Sequence, residues 1–380
     1  MHPEPVVITY RDHLLPPSET FIRAQAEALR GFLPYYVGSR LVPGLALPPE
    51  RTLVVNRWGS RGRICEVPFK FFGIAPRLVR TIRKLEPVLI HAHFGSGGTT
   101  VLPVARRLQL PLVITFYGQD ASVKDEYARR SFYAHRIYLL RRTALKREAC
   151  LFIAVSQFIR EKLLEQGFPP KKVIAHYYGV DTDVFRPDPS ATPVRAVLFV
   201  GRFVEKKGVE FLIRAMAQVH RAISDVELVL IGDGPLRPEL EEMATQLPGP
   251  YRFLGQQPAS VVRSWMTRAL LLCAPSVTAS TGETEGLPTV VAEAQASGLP
   301  VVSTYHAGTP EAVVHGVTGF LAPERDWEKL AAYIVRLIED ESLRRKFSQE
   351  ARKRAVADLN LHRQTRALED IYEAVLRREI

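Results

Sequence analysis

Two carboxylates eight positions apart carry the first sign of chemistry in this 380-residue chain. They are Glu285 and Glu293, in the run Gly282-Glu283-Thr284-Glu285-Gly286-Leu287-Pro288-Thr289-Val290-Val291-Ala292-Glu293. Pro288 lies between them, and proline is favoured at the first position of a helix. That predicts Glu285 in a loop and Glu293 about two turns into the helix. The backbone around Gly286, Leu287, Pro288 and Thr289 then forms a helix N-terminus. Its free N–H groups (Pro288 contributes none) and the positive end of the helix dipole make a phosphate site. A carboxylate on each side accepts hydrogen bonds from hydroxyls, so the layout suits a sugar, a diphosphate and a ribose in a row. On spacing alone a plainer reading stands beside it, with Glu285 on a surface loop and Glu293 on a solvated helix face.

Cations follow the same logic. A strand pattern at 196–200 runs into Gly201-Arg202-Phe203-Val204-Glu205-Lys206-Lys207-Gly208. Arginine binds a diphosphate bidentately and lysine as a point charge. A lone basic pair is more often surface, but Arg202 and Lys207 sit just past a strand end, where open α/β sheets place ligands. Gly232-Asp233-Gly234 lacks the third glycine of a dinucleotide fingerprint, so Gly232 is read as shaping a strand-to-helix turn. In the first half, His91-Ala92-His93 ends a strand that enters Gly95-Ser96-Gly97-Gly98. Two histidines on a strand face one side, but no third ligand accompanies them, and no metal is expected. Asp181-Thr182-Asp183 has the look of a metal-binding Asp-x-Asp but follows a strand at a domain exit.

The pattern Glu-x7-Glu, then Ala296-Ser297-Gly298-Leu299-Pro300-Val301-Val302-Ser303, then Gly308-Thr309-Pro310-Glu311 and Gly316-Val317-Thr318-Gly319-Phe320-Leu321, resembles the retaining glycosyltransferases of family 4. Gly-Arg-x5-Gly at 201–208 and Gly-Val-Asp-x-x-x-Phe-x-Pro at 179–187 extend the likeness over nearly the whole chain. The resemblance implies a GT-B fold, α/β, with two doubly wound Rossmann-like domains facing across a cleft. It implies transfer of a hexosyl unit from a nucleotide diphosphate sugar to a hydroxyl, with retention and without a metal or other cofactor. By the same resemblance Glu285 binds donor-sugar hydroxyls and Glu293 the ribose. Arg202 and Lys207 bind the diphosphate, Lys207 being preferred to Lys206 because the family's lysine immediately precedes its glycine. The nucleobase lies near the strand exit at Gln256, and His93 stands at the transfer centre. Relatives often read Thr-Phe-His-Gly-x-Asp where this chain has Thr115-Phe116-Tyr117-Gly118-Gln119-Asp120, so Tyr117 is a departure. Ser18-Glu19-Thr20-Phe21-Ile22 resembles a polysaccharide-assembly branch, with Ser18, Glu19 and Thr20 on the acceptor side. Ser18 is also a natural helix N-cap. A nucleotide-sugar epimerase on the same fold and a non-catalytic nucleotide-sugar-binding protein are the rival readings.

The elements that must hold these residues alternate strand and helix in two blocks, as in a doubly wound chain. Prolines at 187, 189 and 193 mark a boundary, giving domains 1–187 and 188–360, with 361–380 a helix packing back on the first. Residues 51–70, with Arg57, Arg61, Arg63 and Lys70, are weakly patterned and read as a solvated loop. The chain carries a net charge of +11. Residues 1–190 hold 28 Lys and Arg against 16 Asp and Glu, and the remainder 23 against 24. The basic excess of the first half suggests an anionic partner there. Arg129–Arg147 reads as a basic, aromatic helix suited to an anionic membrane surface. No nucleic-acid motif accompanies the charge. Three scattered cysteines and no secretory leader pattern suggest a cytoplasmic protein, and the basic helix reads either as seating it on the inner face of the membrane or as a plain solvated face. The acceptor is read as a glycan or a polyprenyl-diphosphate-linked oligosaccharide.

Overall fold

The computed structural model describes residues 4–57, 59–130 and 133–380. It divides into two compact units, residues 1–179 with 361–380, and residues 180–360. The division falls at Gly179 and Val180, ahead of the proline-marked boundary at 187. Val180 belongs with the second unit because its N–H bonds Leu359 O at 2.7 Å.

The first unit is built on eight strands: β1 (Val6–Tyr10), β2 (His13–Leu14), β3 (Leu33–Leu41), β4 (Thr52–Asn56), β5 (Leu89–His93), β6 (Leu112–Phe116), β7 (Leu151–Ala154) and β8 (Val173–Ala175). All pair in parallel, in the order β2-β3-β1-β5-β6-β7-β8, with β4 on β3. Strands such as Leu89–His93 and Leu112–Phe116 are buried along their whole length, as parallel strands require. Chain order reverses between β1 and β5, so the loops leaving these strands part there and open a crevice at their carboxyl ends.

The C-terminal helix Leu361–Leu376 completes this unit. Leu368, Tyr372 and Val375 pack on Val7, Leu89, Val113 and Leu151. Burying each such side chain stabilises by roughly 1.5–3 kcal/mol. Glu369 accepts hydrogen bonds from the N–H groups of Arg30 and Gly31, both at 2.6 Å.

The second unit carries β9 (Ala196–Val200), β10 (Glu227–Ile231), β11 (Tyr251–Gly255), β12 (Leu271–Ala274), β13 (Val301–Thr304) and β14 (Gly319–Ala322). Their parallel order is β11-β10-β9-β12-β13-β14, two mononucleotide-binding halves back to back. The switch point lies between β9 and β12. It brings the loop bearing Arg202 and Lys207 beside the loop bearing Glu285.

Two expectations change, for residues 51–70 and for Pro288. Residues 51–70 are not a loop: they form β4 and the helix Arg63–Phe72. Of the stretch 129–147, residues 129–130 and 133–147 are helical, within Asp125–Arg130 and Tyr133–Glu148, and residues 131 and 132 lie outside the described residues. Pro288 is the N-cap rather than the first helical residue, so the helix is Thr289–Ala296 and Glu293 lies little more than a turn inside it.

Candidate functional site

The second unit's crevice is made by backbone packed on backbone. A Cβ on Gly232 would stand 1.9 Å from Gly201 O, and one on Gly208 would stand 2.0 Å from Pro275 O. Gly232 and Gly208 also have φ of 143° and 62°, which favour glycine. The loops after β9 and β12 are tied together at three points. Val277 N–H bonds Lys206 O at 2.8 Å, and Ser280 bonds the Glu205 carboxylate through N–H and hydroxyl at 2.7 and 2.8 Å.

Glu285 is buried against two lysines. Its Oε1 lies 3.1 Å from Lys207 Nζ and 3.6 Å from Lys206 Nζ, while Glu283 takes Lys206 at 2.7 Å. Burial opposes charge on Glu285, but Lys206 and Lys207 outweigh it and hold the carboxyl at about 2. Burial likewise opposes charge on Lys206, and Glu285 with Glu283 raises its pKa instead. Both lysines therefore touch the carboxylate, where the sequence pattern favoured Lys207. Arg202 is exposed and has no ion-pair partner among the described residues. Gly286, Leu287 and Pro288 are buried next to Glu285, and Pro288 gives no side-chain cap to the helix it precedes. Glu293 has no ion-pair partner among the described residues, and burial raises its carboxyl to about 8. Gln256 is exposed beyond the end of β11.

Sequence reasoning missed His306. It is fully buried, accepts the Glu285 N–H on Nε2 at 3.1 Å and meets Glu324 through Nδ1 at 2.6 Å. Because Nε2 accepts, the neutral ring carries its proton on Nδ1, directed at Glu324. Burial lowers the His306 pKa although Glu324 and Glu285 raise it. Glu324 also accepts Thr278 N–H at 2.8 Å, which links β14's exit to the same loop. The residues Ser303-Thr304-Tyr305-His306-Ala307 carry no local sign of this role.

In the first unit β5 delivers both histidines, to different ends. His91 has both ring nitrogens engaged, Nδ1 with the Tyr372 hydroxyl at 2.6 Å and Nε2 with Thr115 Oγ1 at 2.7 Å. It anchors the C-terminal helix to the sheet. His93 meets the Tyr117 hydroxyl through Nδ1 at 2.7 Å. Burial, with His91 and Arg11 near, holds the His93 pKa well below its ordinary value, so the ring is neutral at pH 7. Phe94 follows at φ 67°, strained for a non-glycine residue, and Arg11 stacks over its ring at 4.3 Å. Asp120 gathers three backbone donors, Gly95 N at 2.9 Å, Tyr117 N at 3.0 Å and Gly118 N at 3.2 Å. It thus joins the loops leaving β5 and β6, and burial raises its pKa despite those bonds.

Ser18 is exposed and Thr20 begins the helix Thr20–Glu27, so the N-cap is Glu19 rather than Ser18. The Glu19 carboxylate does not cap. It forks with Arg11, whose Nη2 reaches Oε1 at 2.6 Å and whose Nε reaches Oε2 at 2.9 Å. Asp181 in Asp-Thr-Asp closes a turn, its Oδ1 accepting the N–H groups of Asp183 and Val184 at 3.0 Å each.

Comparison with known proteins agrees with this architecture. Residues 182–354 match the family described as Glycosyl transferases group 1, and residues 19–184 match Glycosyltransferase Family 4. The chain is 31% identical over 288 residues to the amylovoran biosynthesis glycosyltransferase AmsK of Erwinia amylovora, covering 74% of this chain and 69% of that protein. It is 29% identical over 292 residues to the putative colanic acid biosynthesis glycosyltransferase WcaL of Salmonella typhimurium, covering 75% and 70%. Anabaena Alr3699/HepE, crystallised with UDP and glucose, superposes with a TM-score of 0.76 at 22% identity, over 98% of this chain and all of that one. The paired Rossmann-like units are those of the GT-B fold, and the chain is an enzyme belonging to the family 4 glycosyltransferases.

Proposed function

We propose that this chain transfers a hexosyl unit from a nucleotide diphosphate sugar to a hydroxyl of a glycan or lipid-linked oligosaccharide in cell-surface polysaccharide assembly. Transfer proceeds with retention at the anomeric carbon and needs no metal. The observation that carries the reading is the cluster of Lys206, Lys207 and Glu285 at the β9/β12 switch point. An ionised carboxylate held beside cations accepts hydrogen bonds from sugar hydroxyls. Lys207, the exposed Arg202 and the helix N-terminus at Thr289 meet the diphosphate, and they neutralise the charge that develops on it as it leaves. Glu293 takes the ribose hydroxyls, and Gly232 and Gln256 flank the base. The leaving phosphate oxygen takes the proton of the acceptor hydroxyl. His93, met by the Tyr117 hydroxyl at the carboxyl end of β5, is given its part in the transfer by the family resemblance. Retention and the role of each residue come from the family resemblance. The glycan acceptor is favoured by AmsK and WcaL, which are named for amylovoran and colanic acid biosynthesis.

The test is nucleoside diphosphate release from a panel of UDP-, GDP- and ADP-sugars, with and without EDTA. Release from one donor that survives EDTA is expected. Release abolished by EDTA, or isomerisation of the donor without an acceptor, would overturn the proposal.

A further inference from the structure

The helix Arg63–Phe72 is inside out. An amphipathic helix on a soluble protein turns its apolar stripe to the core. Here Glu66 and Lys70, one turn apart, are 4% and 5% exposed, while Ile64 is 79% and Phe72 65% exposed. Val67, Phe71 and Ile74 are exposed as well. The inward face is held by a polar network. Lys70 Nζ reaches Glu66 at 2.9 Å and Asp12 at 3.2 Å, and Asn56 Nδ2 bonds Glu66 at 2.7 Å. Phe69 is the buried apolar contact on that side. Arg141 holds the helix end through the carbonyls of Lys70 and Phe71, and the preceding Leu140 is 83% exposed.

Charge completes the pattern. Between residues 51 and 85 the one acidic residue is Glu66, which is buried. Arg57, Arg63, Arg77, Arg80, Arg83 and Lys84 over the same stretch are exposed. In the helix at 133–148, Arg142 pairs with Asp125 and Lys146 bonds Gln166 O, while Arg147 meets Glu148 and stays exposed.

We propose that Ile64, Val67, Phe71, Phe72 and Ile74 form a wedge that seats this protein on an anionic bilayer surface. The apolar side chains enter the acyl boundary, and the arginines of the two flanking segments meet the lipid phosphates. An apolar face on a stretch whose exposed charged residues from Arg57 to Lys84 are all cationic fits a phosphate headgroup layer better than a basic protein. The proposal does not depend on which sugar is transferred.

The test is co-sedimentation of the full chain with vesicles of equal parts phosphatidylglycerol and phosphatidylcholine, against phosphatidylcholine alone. Binding to the anionic vesicles is expected, with about a tenfold loss in the variant Ile64→Asp/Phe72→Asp at unchanged far-ultraviolet circular dichroism. A second variant, Phe72→Trp, is expected to show an emission that shifts to the blue, beyond any change in the wild type, when anionic vesicles are added. No wild-type binding, equal binding by the double-aspartate variant, or an unshifted emission from the Phe72→Trp variant overturns the proposal. A wild-type dimer in solution that the same substitutions dissociate overturns it too, and assigns the face to a second copy. Donor hydrolysis is read separately, so its failure leaves this test intact.

Discussion

The backbone N–H of Glu285 donates to His306 Nε2 at 3.1 Å, so the loop carboxylate at the candidate donor site is aimed by a buried imidazole. That ring is held in turn by Glu324 at 2.6 Å. His306 thus acts as a positioning residue, fixing where the Glu285 carboxylate stands relative to Lys206 and Lys207.

His306→Ala removes an acceptor from the Glu285 N–H and a donor from Glu324. Leaving buried polar groups unpaired costs about 1–3 kcal/mol, so the denaturation midpoint falls accordingly. The donor KM rises at the same time, because the carboxylate is no longer fixed. Urea melts with donor-dependent kinetics measure both, and an unchanged KM refutes the positioning role.

In the proposed reaction Arg202 and Lys207 act on the leaving diphosphate. Arg202→Ala with Lys207→Ala is expected to lower turnover by about 10²–10³-fold. Arg202→Ala alone shifts stability by no more than about 0.5 kcal/mol, since the side chain is exposed and has no ion-pair partner among the described residues. Product release by the purified double variant decides the matter, and unchanged turnover would sink the assignment.

Glu293 makes stability depend on pH in an unusual direction. Its carboxyl sits at about 8 in the folded chain, against about 4.3 unfolded. Between those values the native state holds a proton that the unfolded state lacks, so this group destabilises the fold as pH rises through the window. Glu293→Gln carries no such dependence. Its thermal midpoint should match the wild type near pH 4 and exceed it progressively towards pH 8. A constant difference across that range would show that Glu293 is not held protonated.

Tyr117→Phe deletes the hydroxyl that meets His93 Nδ1 but keeps the ring packed on Phe21 and Phe94, each 4.8 Å away. With the His93 ring no longer oriented, kcat is expected to fall about tenfold while the donor KM stays near its wild-type value. Steady-state kinetics with the preferred donor check this, and a rise in KM alone would place Tyr117 in binding instead.

Much of this was legible in the chain itself, because the signals are local. Continuous apolar runs such as Val6–Tyr10 and Leu112–Phe116 mark strands buried on both faces, and the helices between them force a parallel order. Gly208 and Gly232 stand where backbones approach too closely for a Cβ, so their spacing records the shape of the crevice. Glu285, Glu293, Arg202 and Lys207 are visible for the same reason, each at a fixed distance from a strand end or helix start.

What the tertiary structure decided depends on partners far apart in sequence. β3 was hidden by Pro34 and by Gly38, which is needed because a Cβ there would meet Arg11 O at 2.4 Å. The helix Arg63–Phe72 reads as an irregular basic stretch until Asp12 and Asn56 arrive from β1's exit and β4 to take its charges inward. His91 and His93 look alike in the chain, yet Tyr372 engages one and Tyr117 the other. His306 and Glu324 are ordinary by type and spacing. Only the placement of β13 and β14 beside β12 sets them against Glu285. Local sequence specifies which backbone conformations are open, whereas ion pairs and hydrogen bonds between distant strands settle which charged groups are buried and which apolar ones stay out.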